Sequence, residues 1–278
     1  MIYASCSTLP NRMDQLYNAV QSVLKEPKID KLFIHYPYKC ERMNVTYPEI
    51  PDWMHQDNRI VVNRCNDLGP LTKLAPMLDI VSQKEDVGLI LFDDDTFYPD
   101  GWLSKLIHHF DGDAAYGRHG SLNRTFPFKN SVFNETDTLQ SFRNISTKWG
   151  AIYSRRIFPK TSHDLVLFAN KYKSSGLYSN DDILLGAMCF KTHTHLYLVP
   201  TTAHEKTVWL QHNPPDNDDQ FSLCKTNMNQ QANQIALVCE MIRNGDYGVP
   251  WPEVTLACAV ISLVFLLLCV WTISFYFS

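Results

Sequence analysis

The stretch LILFDDDTFYPDG, Leu89–Gly101, runs from an apolar segment straight into three adjacent carboxylates, Asp93, Asp94 and Asp95. Together with Val87 and Gly88 it forms VGLILF, Val87–Phe92, a run with no polar face. Such a run suits a strand covered on both sides. In open α/β sheets ligands bind outside the carboxyl ends of the strands, which is where this triplet falls. Three carboxylates so close repel one another, and a hard divalent cation, Mn²⁺ or Mg²⁺, resolves the conflict. A solvated acidic turn is the plainer reading, and the apolar strand in front of the triplet weighs against it.

Working outward, Ile2–Cys6, Lys31–Tyr36 and Arg59–Asn63 read as further strands. Met13–Leu24 and Thr72–Gln83 have apolar residues at helical spacing, and a helix is predicted over about Leu103–Phe110. A polar, irregular stretch follows to about Asn144. Gly150–Tyr153 and Leu196–Val199 read as later strands, and Asp164–Tyr172, Asp181–Phe190 and Met228–Arg243 as helices. Strands alternating with helices predict an α/β domain with a mainly parallel sheet flanked by helices. The domain is placed at 1–245, with a linker at 246–253.

The chain has 278 residues, 25 Lys+Arg against 29 Asp+Glu and a net charge of −4, with 45% hydrophobic and 19% charged residues. That balance fits a globular chain and excludes disorder, collagen and coiled coil. No basic excess is available for phosphate-backbone contacts, so nucleic acid is not an expected partner. Val254–Phe277 carries no charged residue and is long enough to cross a hydrocarbon core of roughly 30 Å as a C-terminal transmembrane helix. Met1 runs directly into IYASCSTLPNR without a signal-like segment, so the expectation is a single-pass C-terminal anchor with the domain in the cytosol. The sequons at Asn44, Asn123, Asn134 and Asn144 are read as chance matches, and the scattered cysteines as small core residues.

Four pieces in order and at matching spacing resemble a GT-A-fold, family-2-like glycosyltransferase. They are STLPNRMDQLYNAVQSVL, RCNDLGPLTKLAPML, the strand with its Asp-x-Asp triplet, and YSNDDILLGAMC. Together they cover most of residues 1–190. The resemblance implies a GT-A, Rossmann-like fold and a nucleotide-sugar donor, UDP-sugar first. It further implies a glycan or glycoprotein acceptor and an inverting reaction.

Residue roles follow from the resemblance. Asp95 would bind the metal and Asp93 the ribose or the metal, with Asp94 sharing either duty. Thr8, Arg12, Arg64, Asp67 and Lys73 would contact the nucleotide sugar, the cations through phosphate or base. Asp181 and Asp182 are the candidates for general base, with Asp182 favoured, although acids here also suit a helix N-terminus. Asp164 and Glu205 stand in reserve. His204 or His212 could complete the metal shell, as a late histidine does in some such enzymes, or be ordinary surface residues. His193 and His195 would share a face if their segment is a strand. Two rival readings are a haloacid-dehalogenase-type phosphatase, whose Asp-x-Asp pattern is followed differently, and a non-catalytic, membrane-tethered binding domain of the same fold.

Overall fold

The computed structural model describes residues 1–83, 86–121, 131–142, 144–172, 181–213 and 230–247. The apolar run at the start forms strand β1, Ile2–Ser7. Helix α1, Met13–Leu24, has the predicted bounds and buries Leu16, Val20, Val23 and Leu24. Strand β2, Lys31–Pro37, leads into a hairpin of β3, Lys39–Cys40, and β4, Val45–Thr46. Strand β5, Ile60–Cys65, helix α2, Ala75–Ile80, strand β6, Gly88–Leu91, and helix α3, Trp102–His109, follow. Helix α2 is shorter than its apolar spacing predicts. Pro76 has no N–H to donate and fits only the first turn, so Leu71–Lys73 is a separate 3-10 turn.

The stretch expected to be irregular contains five short strands. These are β7, Ala115–Gly117, β8, His119–Ser121, β9, Ser131–Phe133, β10, Gln140–Phe142, and β11, Asn144–Ile145. Gly117 is required where these strands cross, since a Cβ there would lie 2.0 Å from Ile145 Cγ2. Strand β12, Ala151–Ser154, helices α4, Ser162–Lys171, and α5, Asp181–Lys191, and strand β13, Leu196–Leu198, lie close to their expected places. Helix α6, Ala203–His212, was not anticipated. Its signal is local: Thr202 accepts from Glu205 N while the Glu205 carboxylate reaches back to Thr202 N, a capping box. Helix α7 spans Gln230–Arg243.

The main sheet has the order β10-β13-β7-β12-β6-β1-β2-β5. Strands β6, β1, β2 and β5 are parallel, as are β7 and β13, whereas β12 and β10 run against their neighbours. The expected α/β architecture, a mainly parallel sheet flanked by helices, is therefore present. Along β6, Leu89 and Leu91 face one core with residues of α2, α4 and α5, and Ile90 and Phe92 face the other with residues of α1 and α3. Burial on both faces explains the absence of any polar position in Val87–Phe92, each large side chain contributing about 1.5–3 kcal/mol.

This topology gathers the carboxyl ends of β1, β2, β5 and β6 on one edge. Strand β12 runs the other way, with Ala151 opposite Leu91, so its amino end reaches the same edge. The segment ahead of it, with the 3-10 turn Thr147–Trp149 and Gly150 at φ 79°, becomes a strap across that edge.

Helix α7 is fastened by Asp246, which accepts Lys171 Nζ of α4 at 2.5 Å, Lys191 Nζ of α5 at 2.7 Å, and the Tyr172 hydroxyl. Among the described residues no helix is long and apolar enough to cross a membrane. The apolar run 254–277 and the linker beyond Tyr247 lie outside them, as do Asn123, Cys224, Cys258 and Cys269. The Asn134 amide is buried and donates to Thr138 O and Leu198 O, which makes it a structural side chain. Asn44 is exposed in the hairpin turn at φ 54°. The described cysteines, Cys6, Cys40, Cys65, Cys189 and Cys239, are free thiols.

Candidate active site

A cleft of about 490 Å³ opens at the shared edge, lined by Thr8, Leu9, Arg12, Glu41, Arg42, Tyr47, Asp67, Lys73, Asp93, Asp94, Asp95, Lys148 and Asp181, among others. That size suits a nucleotide-sized ligand. Each wall follows from a strand end: Thr8–Arg12 after β1, the β3–β4 hairpin after β2, Asp67–Lys73 after β5, and the triplet after β6.

The three carboxylates of the triplet have different surroundings. Asp94 is buried and turned inward, accepting from Thr8 Oγ1 at 2.7 Å, Leu9 N at 3.2 Å and Arg12 Nη1 at 3.2 Å. Burial, with Asp95 beside it, pushes its pKa up to about 6 despite Arg12 and Thr8. Its contacts fasten the β1 loop to the β6 loop. Asp95 accepts from Arg12 Nη1 at 2.9 Å and from Thr96 Oγ1 at 3.3 Å. Asp93 is paired with Lys73.

Lys73 is the hub of the site. Its ammonium is almost wholly buried and contacts Asp93, Asp181 Oδ2 at 2.8 Å and Thr147 Oγ1 at 3.1 Å. Burial opposes its charge, yet Asp181 and Asp93 hold its pKa well above that of an ordinary lysine. The triplet and the later acidic pair, about 90 residues apart in the chain, therefore meet across one cation. Asp181 lines the cleft, whereas Asp182 turns its Oδ1 to Thr147 N at 3.0 Å and Thr147 Oγ1 at 3.1 Å. Burial and the charge of Asp181 push the Asp182 pKa up to about 7.

Other sequence candidates are placed differently. Arg64 does not line the cleft. It lies over the rings of Tyr36 at 5.2 Å and Tyr38 at 4.7 Å, because β5 pairs with β2 so that Arg64 sits beside Tyr36. Asp67 lines the cleft, but both of its oxygens build the loop, Oδ1 accepting from Gly69 N at 2.8 Å and Oδ2 from Glu41 N at 2.8 Å. His212 packs on the ring of Phe97, two residues beyond Asp95, with centroids 4.7 Å apart. His204 lies eight residues earlier on α6, roughly 12 Å along a helix, so the two histidines cannot ligate one ion together. His193 occupies a left-handed turn at φ 54° ahead of β13, so it shares no strand face with His195. Asp164 and Glu205 serve the first turns of α4 and α6.

Reasoning from sequence missed Arg42, Tyr47, Thr147 and Lys148. The Tyr47 hydroxyl donates to Thr8 O, so the hairpin is tied to the β1 loop.

Among the described residues no three His, Cys, Asp or Glu side chains converge as a metal cage. The donor set nevertheless fits a hard cation of another kind. Mg²⁺ is commonly held by one or two carboxylates together with substrate phosphates and water. Asp93 and Asp95 are both partly exposed in the cleft. Five carboxylates gather here, with Arg12 paired to Asp94 and Asp95 and Lys73 paired to Asp93 and Asp181, a charge pattern compatible with a bound cation.

No protein-family model and no curated protein matches the chain. Among solved structures, a crystal structure of 4-diphosphocytidyl-2C-methyl-D-erythritol synthase is 9% identical with a TM-score of 0.42, covering 73% of this chain and 90% of that one. The synthase of the same name from Anaerococcus prevotii DSM 20548 is 12% identical with a TM-score of 0.44, covering 75% and 93%. Likeness at this level carries no conclusion about what this chain does.

Proposed function

We propose that the chain is a divalent-cation-dependent glycosyltransferase, moving a sugar from a nucleotide-sugar donor, UDP-sugar first, to a hydroxyl acceptor with inversion. The observation that supports this reading is the juxtaposition of the Asp93–Asp95 triplet with Asp181 across Lys73, in a cleft at the carboxyl ends of four parallel strands. A cleft with so many carboxylates repels a free diphosphate, and a bound Mn²⁺ or Mg²⁺ would reverse that and neutralise charge on the departing diphosphate. Asp95 and Asp93 would hold it. Arg42 and Lys148 add positive charge at the cleft for phosphate or base.

In the chemical step the acceptor oxygen bonds the anomeric carbon as the carbon–oxygen bond to the diphosphate breaks. The acceptor proton passes to Asp182. Asp181 instead holds the Lys73 ammonium, its Oδ2 2.8 Å from Nζ. Asp182, with its pKa raised toward neutrality, suits a base working near pH 7. We further propose that the 254–277 run tethers this domain to a membrane with the domain in the cytosol, where a glycan or glycoprotein acceptor would meet it.

The test is a panel of UDP- and GDP-sugars incubated with the purified full chain, with Mn²⁺ or with chelator. Nucleoside diphosphate release that needs Mn²⁺ and disappears in Asp95→Asn is the expected result. Binding without turnover would favour a tethered binding domain, and phosphate release from an aryl phosphate would favour a phosphatase.

A further inference from the structure

We propose that Thr147 is a positioning residue that fixes Asp182 for its role as base, with Lys73 setting the direction of the Thr147 hydroxyl. The inference rests on the glycosyltransferase reading above. Thr147 is 2% exposed and lies in the strap that enters the cleft edge from β12. Its Oγ1 is 3.1 Å from Lys73 Nζ. An ammonium can only donate, so the hydroxyl accepts there and its own proton must point elsewhere. Two carboxylate oxygens are in reach: Asp182 Oδ1 at 3.1 Å and Asp181 Oδ2 at 3.4 Å. Asp181 Oδ2 already takes the Lys73 ammonium at 2.8 Å. Asp182 Oδ1 is the nearer acceptor, and it also receives the backbone N–H of Thr147 at 3.0 Å.

One residue thus places two donors on a single carboxylate oxygen. This orients the Asp182 carboxyl and leaves Oδ2, which no described residue hydrogen-bonds, as the oxygen to receive the acceptor proton. The relay Lys73 to Thr147 to Asp182 runs in one direction only, and each donor strengthens the next. The strap itself is fixed, with the Tyr98 hydroxyl on Lys148 O at 2.9 Å and Trp102 Nε1 on Trp149 O at 2.8 Å. Replacing the Thr147 side chain removes the hydroxyl bond and spares the backbone bond, so the effect falls on orientation more than on folding.

The test compares full-chain wild type, Thr147→Val, Thr147→Ser and Asp182→Asn, using the Mn²⁺-dependent release of nucleoside diphosphate from whichever sugar nucleotide of the panel the wild type turns over. Thr147→Val keeps the shape and lacks the hydroxyl. It is expected to lower kcat roughly 10- to 100-fold, the scale of a misplaced catalytic group, with donor KM nearly unchanged. Thr147→Ser restores the hydroxyl and should restore most of kcat. In an Asp182→Asn background Thr147→Val should add no further loss, because residues acting as one unit are not additive. A wild-type kcat in Thr147→Val, a loss that serine does not rescue, or a loss fully additive with Asp182→Asn each overturns the assignment. If Thr147→Val does not fold, Thr147→Ala carries the same expectations. If the wild type turns over no sugar nucleotide, the glycosyltransferase reading itself falls, a result distinct from an active wild type indifferent to Thr147.

Discussion

At Asp246 one carboxylate meets Lys171, Lys191 and the Tyr172 hydroxyl; in the cleft five carboxylates gather around Arg12, which pairs with Asp94 and Asp95, and Lys73, which pairs with Asp93 and Asp181. Burial works against the charge of Asp246, but its donors prevail and hold its pKa down at about 2. In the cleft the balance tips the other way, and burial with neighbouring acids raises Asp94 and Asp182. A carboxylate with an excess of donors fastens the fold. A cluster of carboxylates whose pKa values are raised by burial and by one another marks a candidate ligand site.

The largest expected effect is at the point where the cleft is held together. Lys73→Met should leave Asp93 and Asp181 facing each other unpaired, at a cost of about 3–5 kcal/mol, the range seen when one partner of a buried pair is removed. Denaturant unfolding would measure it. A loss under about 1 kcal/mol would mean that the cluster is solvated like an ordinary surface pair.

Asp246→Asn should have a smaller effect, about 2 kcal/mol, from weakening charge-assisted hydrogen bonds that fasten α7. Its contribution has the sign of a depressed carboxylate. It is fully present above about pH 4, the unfolded value, and is lost as the pH falls through about 2. Unfolding curves for wild type and variant should therefore converge in strong acid. If the gap between them persisted there, the residue would be acting through packing.

The cleft carries the opposite sign and a smaller effect. Asp182, raised to about 7, keeps a proton in the folded chain that the unfolded chain has released. Between about pH 4 and 7 its titration should therefore lower stability as the pH rises. Asp182→Asn retains an oxygen for Thr147 and removes the charge. Near pH 7 it should melt higher by roughly 2–4 °C, about what 1 kcal/mol supplies in a domain of this size, and should show a flatter pH dependence. Melting that falls in this variant would place Asp182 with Asp246 among the fastening acids.

The two regions also differed in how much of them could be read from sequence. Val87–Phe92 with its triplet, and Met13–Leu24 with its buried stripe, are decided by local periodicity. Sequence alone therefore located the sheet edge and most of the acids on it. What joins those acids is not local. Lys73 was one of several candidate cations, and only the packing of its turn against β1, through Ser5 Oγ on Lys73 O at 2.5 Å, places it between Asp93 and Asp181.

Strand register turned Arg64 onto two tyrosines, which no spacing rule foretells. The loop-building role of Asp67 was more legible, since an Asp two residues before Gly in N-D-L-G-P commonly bonds the backbone two residues on. The strands of Ala115–Ile145 are two or three residues long and exist through their partners, so their sequence carries little of their structure. Thr147 belongs to no motif, and its importance comes from Lys73 and Asp182, far away in the chain.

On the function proposed above, the acid-rich cleft is completed by a divalent cation and a nucleoside diphosphate acting together. Calorimetric titration of UDP into the full chain, with and without Mn²⁺, tests it most directly. The predicted result is UDP binding at least about tenfold tighter with Mn²⁺, a difference of roughly 1.4 kcal/mol or more, that is lost in Asp95→Asn. UDP binding of equal strength without the metal, or unaffected by loss of the Asp95 carboxylate, would contradict it.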